Sequence, residues 1–249
     1  YGVPRIAYIN KNDRLGANYY RVLDMMRERL GANPVPIYIP IGAEDTFKGI
    51  IDLLLMKAVY FDVESQGLNF IEKEIPEDML EHCQKLRSQM VESVAETSDE
   101  LLSKYLEGED LSVGEIKQGI RRAVLDGKIV PVFCGSSLKN IGVRPLIDAV
   151  VDYLPSPVDV KFPEGFKPDD HDKSIKLAPK DDEPFSALAF KIHSDQYVGR
   201  LTFLRIYSGT LKLGESVQNS AVDKKERIQK LMRVFANRRE EIAEVYAGD

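Results

Sequence analysis

The sequence has 249 residues, of which 43% are hydrophobic and 30% charged, and its formal net charge at pH 7 is −6. This composition is typical of a globular protein of one or two domains, and no apolar run approaches the roughly 18 residues that a membrane span needs. Cys83 and Cys134 form no paired motif, which favours a reduced intracellular compartment, and the three histidines have no partners at metal-ligand spacing, so no metal site is expected.

The first part of the chain is predicted to form strands and one helix. The predicted elements are a buried strand over Arg5–Ile9, a helix over Asn18–Leu30, and strands over Val35–Ile41 and Lys57–Val63. Gly31 is placed as the C-terminal cap of the helix, while Gly42 and Gly49 punctuate the strands.

The middle of the chain is mainly helical. The predicted elements are a helix over Glu77–Glu96, a helix that begins at Ser112 and stops at Gly127, a buried strand over Ile129–Cys134 and a helix over Val143–Leu154. Ser112 and Glu115 stand three residues apart, which is the spacing of a capping box.

The composition changes from Asp159 onward. Residues 159–181 are polar and charged with few apolar side chains, so they are predicted to form a linker. Strand-like runs over Phe185–Ile192 and Leu201–Tyr207, with glycine turns at regular spacing, then predict a small antiparallel β-barrel. We expect this barrel to be incomplete, because too few strands accumulate before Asp249 to close it.

The tetrad N-K-N-D, residues 10–13, carries the strongest chemical signal. The Asp13 carboxylate can accept two parallel hydrogen bonds from the N1–H and the exocyclic amine of guanine, a donor pair that adenine lacks. The Asn10 amide can pin the loop and touch the purine edge, and the Lys11 stem can lie across the ring. A polar strand-to-helix turn, in which Asn and Asp only cap the chain, is the alternative.

A second loop strengthens the guanine interpretation. Gly135-Ser136-Ser137-Leu138-Lys139 also follows a buried strand and precedes a helix. In guanine-nucleotide folds a Ser-Ala-Leu/Lys loop offers backbone N–H groups to the guanine O6. Ser137 replaces the alanine here, and this small residue leaves backbone donation unchanged.

Several runs of the sequence resemble bacterial elongation factor G, and the similarity weakens only between about Val63 and Gln118 and in the linker. The matching runs are VPRIAYINKNDR (3–14), GAN (16–18), LGANPVP (30–36), IGAE (41–44), DYLPSPV (152–158), DEPFSALAFK (182–191) and ANRREEI (236–242). The third tetrad residue is usually Met or Leu in that family and is Asn12 here. Because this position is the variable one, we expect no functional consequence.

The resemblance implies an α/β fold with four parts. Residues 1–33 and 127–158 would be the C-terminal half of a P-loop GTPase domain, and residues 34–126 an inserted α+β subdomain. Residues 159–181 would be the linker, and residues 182–249 the start of the β-barrel second domain.

The resemblance also implies a function: a GTPase that moves transfer RNA and messenger RNA on the ribosome. Its expected partners are ribosomal RNA, the large-subunit stalk protein, tRNA and mRNA, with no membrane, and the protein itself is expected to be a monomer. Between Ala43 and Gly127 the chain has 19 acidic and 9 basic residues, and between Arg200 and Arg239 it has 3 and 10. These charges suit a basic protein partner and an RNA backbone respectively, although ordinary solvated surface also explains most charge runs.

The sequence contains no G-x-x-x-x-G-K-[ST] phosphate loop. The hydrolysis machinery is therefore expected upstream of Tyr1, with GTP or GDP as ligand and Mg²⁺ bound only by the full-length protein. No catalytic residue is expected in these 249 residues, and the chain alone should be inactive. The base-site residues implied are Asn10, Lys11, Asp13, Ser136, Ser137 and Leu138.

Four alternatives remain open. A ribosome-recycling, release-type or ribosome-protection GTPase would share the tetrad and the barrel, and a ribosome-binding module could keep the fold without catalysis. The compartment is expected to be bacterial cytoplasm, with a mitochondrial or plastid matrix as the alternative.

Overall fold

The computed structural model describes residues 2–62, 65, 67, 69–167, 170–195, 199–235 and 238–249. The chain divides into two compact units, Tyr1–Pro155 and Ser156–Asp249. Both contain β-structure, and the helices of the described residues lie in the first unit, which agrees with the predicted mixed α/β class. None of these helices is both long enough and apolar enough to cross a membrane.

In the described part of the first unit there are five α-helices, a 3-10 helix over Glu44–Thr46 and seven strands. The helices are α1 (Tyr19–Leu30), α2 (Glu77–Ala95), α3 (Asp99–Leu106), α4 (Val113–Leu125) and α5 (Val143–Tyr153). The strands are β1 (Ala7–Ile9), β2 (Pro34–Pro36), β3 (Tyr38–Ile41), β4 (Gly49–Asp52), β5 (Lys57–Phe61), β6 (Phe70–Lys73) and β7 (Val130–Cys134). The helices predicted for this unit are present with slightly different bounds, whereas one of the predicted strands is divided into two.

A three-stranded parallel sheet has the strand order β1-β7-β2. Strand β7 is buried along its whole length, as expected for the central strand of a parallel sheet covered on both faces. Ile9 lies opposite Cys134 in the register, so β1 and β7 end side by side. The loops that follow these two strands are therefore neighbours.

The single strand predicted over Val35–Ile41 is wrong, because the structure divides it into β2 and β3. Strand β2 pairs with β7, whereas β3 begins a four-stranded antiparallel sheet of order β3-β4-β5-β6. Ile37 lies between them: its N–H donates to the Val132 carbonyl, and its own carbonyl accepts from Leu53 N–H. The chain thus passes from one sheet to the other within one buried residue.

Gly49 was predicted to separate two strands, and instead it is the first residue of β4. A Cβ at this position would come within 3.0 Å of the Val59 carbonyl oxygen on the neighbouring strand, so glycine permits the close approach. The next strand, β5, ends at Phe61; the last residue of the prediction, Val63, lies outside the described residues.

The helix ends follow local sequence signals. Asn18 caps α1 by accepting a hydrogen bond from Arg21 N–H, and Gly31 closes the helix in the left-handed region at φ 57°. At α4 the Ser112 hydroxyl accepts from Glu115 N–H while the Glu115 carboxylate accepts from Ser112 N–H, which confirms the capping box. Helix α3 was not predicted.

Replacing Ser112 with alanine should lower the free energy of unfolding by about 1 kcal/mol, because the first turn of α4 loses its side-chain acceptor. Urea unfolding followed by circular dichroism measures the change. Ser88→Ala is the matched control, since the Ser88 hydroxyl only donates to a carbonyl within α2, and we expect a change within about 0.5 kcal/mol. Equal losses of unfolding free energy in the two variants would contradict the assignment of Ser112 as the cap of α4.

The core of the first unit is continuous from the parallel sheet to the packed helices. Phe133 on β7 contacts the ring of Tyr38 at a centroid distance of 5.3 Å and that of Tyr153 at 6.2 Å, which holds α5 against the sheet. Ile116 and Val124, on one face of α4, are fully buried. These contacts fix the sheet from which the site loops emerge.

The second unit consists of strands paired two by two. Its strands are β8 (Glu164–Lys167), β9 (Asp170–Lys176), β10 (Ser186–Asp195), β11 (Gly199–Ser208), β12 (Leu211–Lys212), β13 (Ser216–Asn219), β14 (Lys224–Arg227), β15 (Met232–Phe235), β16 (Arg238–Glu241) and β17 (Glu244–Val245). They form five two-stranded antiparallel sheets among the described residues. The predicted β-barrel, which needs these pairs to join, stays a prediction.

The hairpin of β8 and β9 falls inside the segment predicted to be a linker, residues 159–181. The polar composition indicated little structure there, but ladder hydrogen bonds depend on the backbone and not on apolar side chains. The predicted domain boundaries themselves stay predictions. Of the runs that resemble elongation factor G, Ala236 and Asn237 lie outside the described residues.

Candidate functional site

The two loops singled out by the sequence meet at the carboxyl ends of β1 and β7. Gly135 N–H donates to the Ile9 carbonyl at 3.1 Å, and Asn12 N–H donates to the Gly135 carbonyl at 3.2 Å. Loops at the carboxyl ends of parallel strands are where open α/β sheets bind their ligands. The sheet therefore places both loops at the edge where a ligand is expected.

The Asn10 side chain joins the first loop to the second. Its Nδ2 donates to the Ser137 hydroxyl at 2.8 Å, and its Oδ1 accepts from Ser137 N–H at 3.0 Å. The same Oδ1 accepts from the backbone N–H of Lys11 at 2.8 Å. One amide thus restrains both loops at once.

Lys11 has a left-handed backbone conformation, with φ 64°. Non-glycine residues rarely adopt this conformation, and those that do are concentrated at functional sites. The residue is exposed, so its aliphatic stem is free to lie along a flat ligand.

The Asp13 carboxylate is held in its ionised form. Burial opposes ionisation, since only 6% of the side chain is exposed, but hydrogen bonds from the Ser136 hydroxyl and from the Asp13 N–H outweigh it, helped by the cations of Lys139 and Arg14. The pKa of this carboxyl is consequently below its usual value of 3.8. Because folding lowers this pKa, the ionised carboxylate stabilises the folded protein in full above the usual value of 3.8. This contribution to the free energy of unfolding is lost as the pH falls through the lower pKa of the folded state. Asp13 is therefore a full hydrogen-bond acceptor at neutral pH.

The second loop turns tightly after β7. Ser136 is 1% exposed, and its N–H and carbonyl both bond to Ile141, each at 3.0 Å. Of the two following amides, that of Ser137 donates to Asn10, whereas the Leu138 N–H donates to no group in the described part of the chain. The Leu138 side chain is 74% exposed. This loop therefore presents one free backbone donor at the same edge of the sheet as the Asp13 acceptor.

Gly135 permits the close contact beneath the two loops. A Cβ there would come within 3.0 Å of both the Ile141 carbonyl oxygen and the Tyr8 hydroxyl, which donates to that same carbonyl at 3.0 Å. Burial is the main cause that raises the pKa of Tyr8, and the nearby Asp13 carboxylate adds to it. The phenol therefore stays protonated as a donor.

Three residues at the site received no role from the sequence. Lys139 Nζ lies 3.7 Å from Asp13 Oδ2. Glu44 N–H donates to the Asn12 carbonyl at 2.8 Å, and the Glu44 carboxylate accepts from Gly16 N–H at 2.7 Å. Asn12 itself is buried, at 3% exposed. Glu44 lies in another segment of the chain, so no local pattern could have indicated it.

A groove of about 560 Å³ lies elsewhere in this unit, between α1 and α2, and none of the six predicted site residues lines it. The two loops instead form an open edge with fixed donors and acceptors, and these groups make that edge the candidate site. Within the described ranges, no three His, Cys, Asp or Glu side chains are grouped so that they could hold a metal ion.

Comparisons with known proteins cover both units. Residues 1–156 match the family model of the elongation factor Tu GTP-binding domain, and residues 184–249 match that of elongation factor G domain 2. A crystal structure from Thermus thermophilus is similar over 99% of this chain, with a TM-score of 0.77 and 31% sequence identity. The chain spans 33% of the length of that protein.

Proposed function

Because the chain belongs to the translational GTPase family, through the elongation factor Tu GTP-binding domain that residues 1–156 match, we propose that these residues supply the guanine-reading part of a GTP-dependent translation factor. The observation that carries this proposal is the double hydrogen bond between Asn10 and Ser137. It joins the loop that carries the Asp13 acceptor to the loop that carries the free Leu138 donor.

The hydrogen-bond donors and acceptors of guanine match those that the two loops present. Its N1–H and exocyclic amine are donors and match the Asp13 carboxylate, while its O6 is an acceptor and matches the free backbone N–H of Leu138. Adenine has an amine in place of O6 and no N1–H, so it would leave the carboxylate unpaired. Sites that are built to bond a substrate group reject the analogue lacking it by on the order of 10⁴-fold.

Each predicted residue has a role in this proposal. Asp13 reads the base, Leu138 donates to O6, and Lys11 covers one face of the ring. Asn10, Ser136 and Ser137 hold the loops, through the bonds between Asn10 and Ser137 and the hydroxyl of Ser136 on Asp13.

Phosphate binding and hydrolysis need groups of another kind. Backbone amides of a glycine-rich loop, a lysine and a Ser or Thr hydroxyl on Mg²⁺ are the usual means. The printed sequence contains no such loop. We infer that Mg²⁺ and the phosphates of GTP are held by other segments of the full-length protein.

Within the family, we propose an elongation factor of the G type that drives movement of tRNA and mRNA on the ribosome. The match of residues 184–249 to elongation factor G domain 2 supports this choice. The basic residues of β14, including Lys224 and Arg227, are exposed and suit an RNA backbone. The acidic region between Ala43 and Gly127 suits a basic protein surface, and we propose the large-subunit stalk protein as its partner. A recycling or ribosome-protection GTPase, or a non-catalytic ribosome-binding module, is the alternative.

The test uses the full-length protein with purified ribosomes. We expect ribosomes to stimulate its GTP hydrolysis, and we expect GTP to advance the mRNA by one codon in ribosomes that carry peptidyl-tRNA. Stimulated hydrolysis without mRNA movement would support the recycling or protection alternatives. No hydrolysis would support the non-catalytic module.

The 249-residue chain alone should show no preference for GTP over ATP. Base contacts without phosphate contacts give too little free energy to offset the entropy lost on binding. Displacement of a fluorescent GDP analogue by either nucleotide measures this, with full-length protein as the positive control. Tight, GTP-selective binding by the 249 residues would contradict the proposal that other segments hold the phosphates and Mg²⁺.

A further inference from the structure

We propose that Asn12 is a positioning residue for guanine recognition, holding the Asp13 loop at a fixed distance from the loop of Ser137. From the sequence alone, this position was expected to have no functional consequence. The proposal rests on the proposed function, because it concerns how accurately the same site engages the base.

The buried carboxamide of Asn12 bridges the ends of two strands. Its Nδ2 donates to the carbonyl of Ile9, which is the last residue of β1, at 2.7 Å. It also donates to the Gly135 carbonyl, the first residue after β7, at 3.1 Å. Both hydrogens of one amide group are thus used to hold the two loops at a set separation.

The backbone of Asn12 adds contacts to the same two loops and to a third segment. Its N–H donates to the Gly135 carbonyl at 3.2 Å, and its carbonyl accepts from Glu44 N–H at 2.8 Å. Asp13 is the next residue, so a shift of Asn12 moves the carboxylate directly. A pair of parallel hydrogen bonds is sensitive to such a shift, and displacements of about 1 Å at a site are known to be costly.

Loss of the Asn12 amide should leave the fold intact. The Ile9 carbonyl still accepts from Gly135 N–H, and the Gly135 carbonyl still accepts from Asn12 N–H. No carbonyl is therefore left without a partner when the side chain becomes apolar. A leucine of similar volume fills the space but cannot set the separation of the loops.

The experiment measures GDP and inosine diphosphate (IDP) affinities of full-length Asn12→Leu, well below its melting temperature. Because IDP lacks the exocyclic amine, the ratio of its Kd to that of GDP reports how well Asp13 engages that amine. Asn33→Leu is the matched control: Asn33 Nδ2 also donates to a main-chain carbonyl, that of Lys128, but at the opposite end of the sheet.

We expect Asn12→Leu to raise the Kd for GDP about tenfold and to lower the IDP-to-GDP ratio by about threefold, as the loss of one or two hydrogen bonds implies. Asn33→Leu should change neither quantity. Asn12→Ser, which keeps a shorter donor, should give intermediate values and serves if the leucine variant does not fold.

A lower melting temperature with an unchanged ratio would mean that Asn12 is only structural, and would overturn the proposal. A wild-type protein that binds GDP and IDP equally would instead refute guanine reading by Asp13, and the positioning role with it.

Discussion

Replacing Asp13 with asparagine should weaken GDP binding by the full-length protein on the order of 10³-fold, since the new amide NH₂ opposes the exocyclic amine of guanine and the remaining hydrogen bond has a neutral acceptor. The same change should strengthen binding of xanthosine diphosphate, whose ring has a carbonyl where guanine has an amine. The new amide can donate to that carbonyl. Calorimetric titration with both nucleotides measures the exchange of preference.

The structure makes this substitution a mild one for the fold. Asp13 and asparagine have the same shape, and the surrounding Ser136 hydroxyl can still donate to the amide oxygen. Lys139, 3.7 Å from the carboxylate, is 40% exposed and can turn to solvent. We therefore expect the loss to appear in base preference and not in stability.

Asp24→Asn is the control for charge alone. Asp24 lies on the exposed side of α1 and pairs with Arg27 at 2.9 Å, so its removal changes the net charge equally without touching the loops. We expect GDP affinity to stay within about twofold, as exposed ion pairs contribute little. An Asp13→Asn protein that binds GDP as tightly as the wild type would remove Asp13 from base recognition.

Replacing Gly135 with alanine should lower the free energy of unfolding by about 3 kcal/mol, because overpacking adds to the loss of hydrogen bonds. The new Cβ would displace the Ile141 carbonyl, which accepts hydrogen bonds from Ser136 N–H and from the Tyr8 hydroxyl. Since Ile141 is held through its backbone, the clash cannot be relieved by turning a flexible side chain. Chemical denaturation of the variant measures the effect.

Gly114→Ala is the matched control. Gly114 lies in the first turn of α4, and a Cβ there meets only the Ser112 hydroxyl oxygen, at 4.0 Å. Alanine should be neutral or stabilise the helix by up to about 1 kcal/mol. Similar losses at Gly135 and Gly114 would show that the contact beneath the loops is not tight.

Local signals account for the parts of the fold that could be predicted. The capping box at Ser112 and the Gly31 cap depend on residues within one helical turn, and the alternation of strands and helices follows from apolar spacing. The division of Val35–Ile41 could not be predicted, because Ile37 bonds to Val132 and Leu53, which are distant in sequence.

The candidate site, too, could be predicted only in part. That the loops of Asp13 and Ser137 lie together was predictable, because each follows a strand and the carboxyl ends of parallel strands share an edge. The roles of Asn12 and Glu44 depend on hydrogen bonds to the Gly135 carbonyl and to the Asn12 carbonyl respectively. A position that varies in type between related proteins can still be buried and bonded in one of them.

The central claim is that the two loops select guanine, and the comparison of GDP with ADP on the full-length wild-type protein tests it most directly. We predict a Kd for ADP higher than that for GDP by on the order of 10⁴-fold. Because the two ligands have the same ribose and phosphates, only the base can produce this difference. Affinities within about tenfold of each other would contradict the account, since a tenfold difference in Kd corresponds to a binding free energy of only about 1.4 kcal/mol.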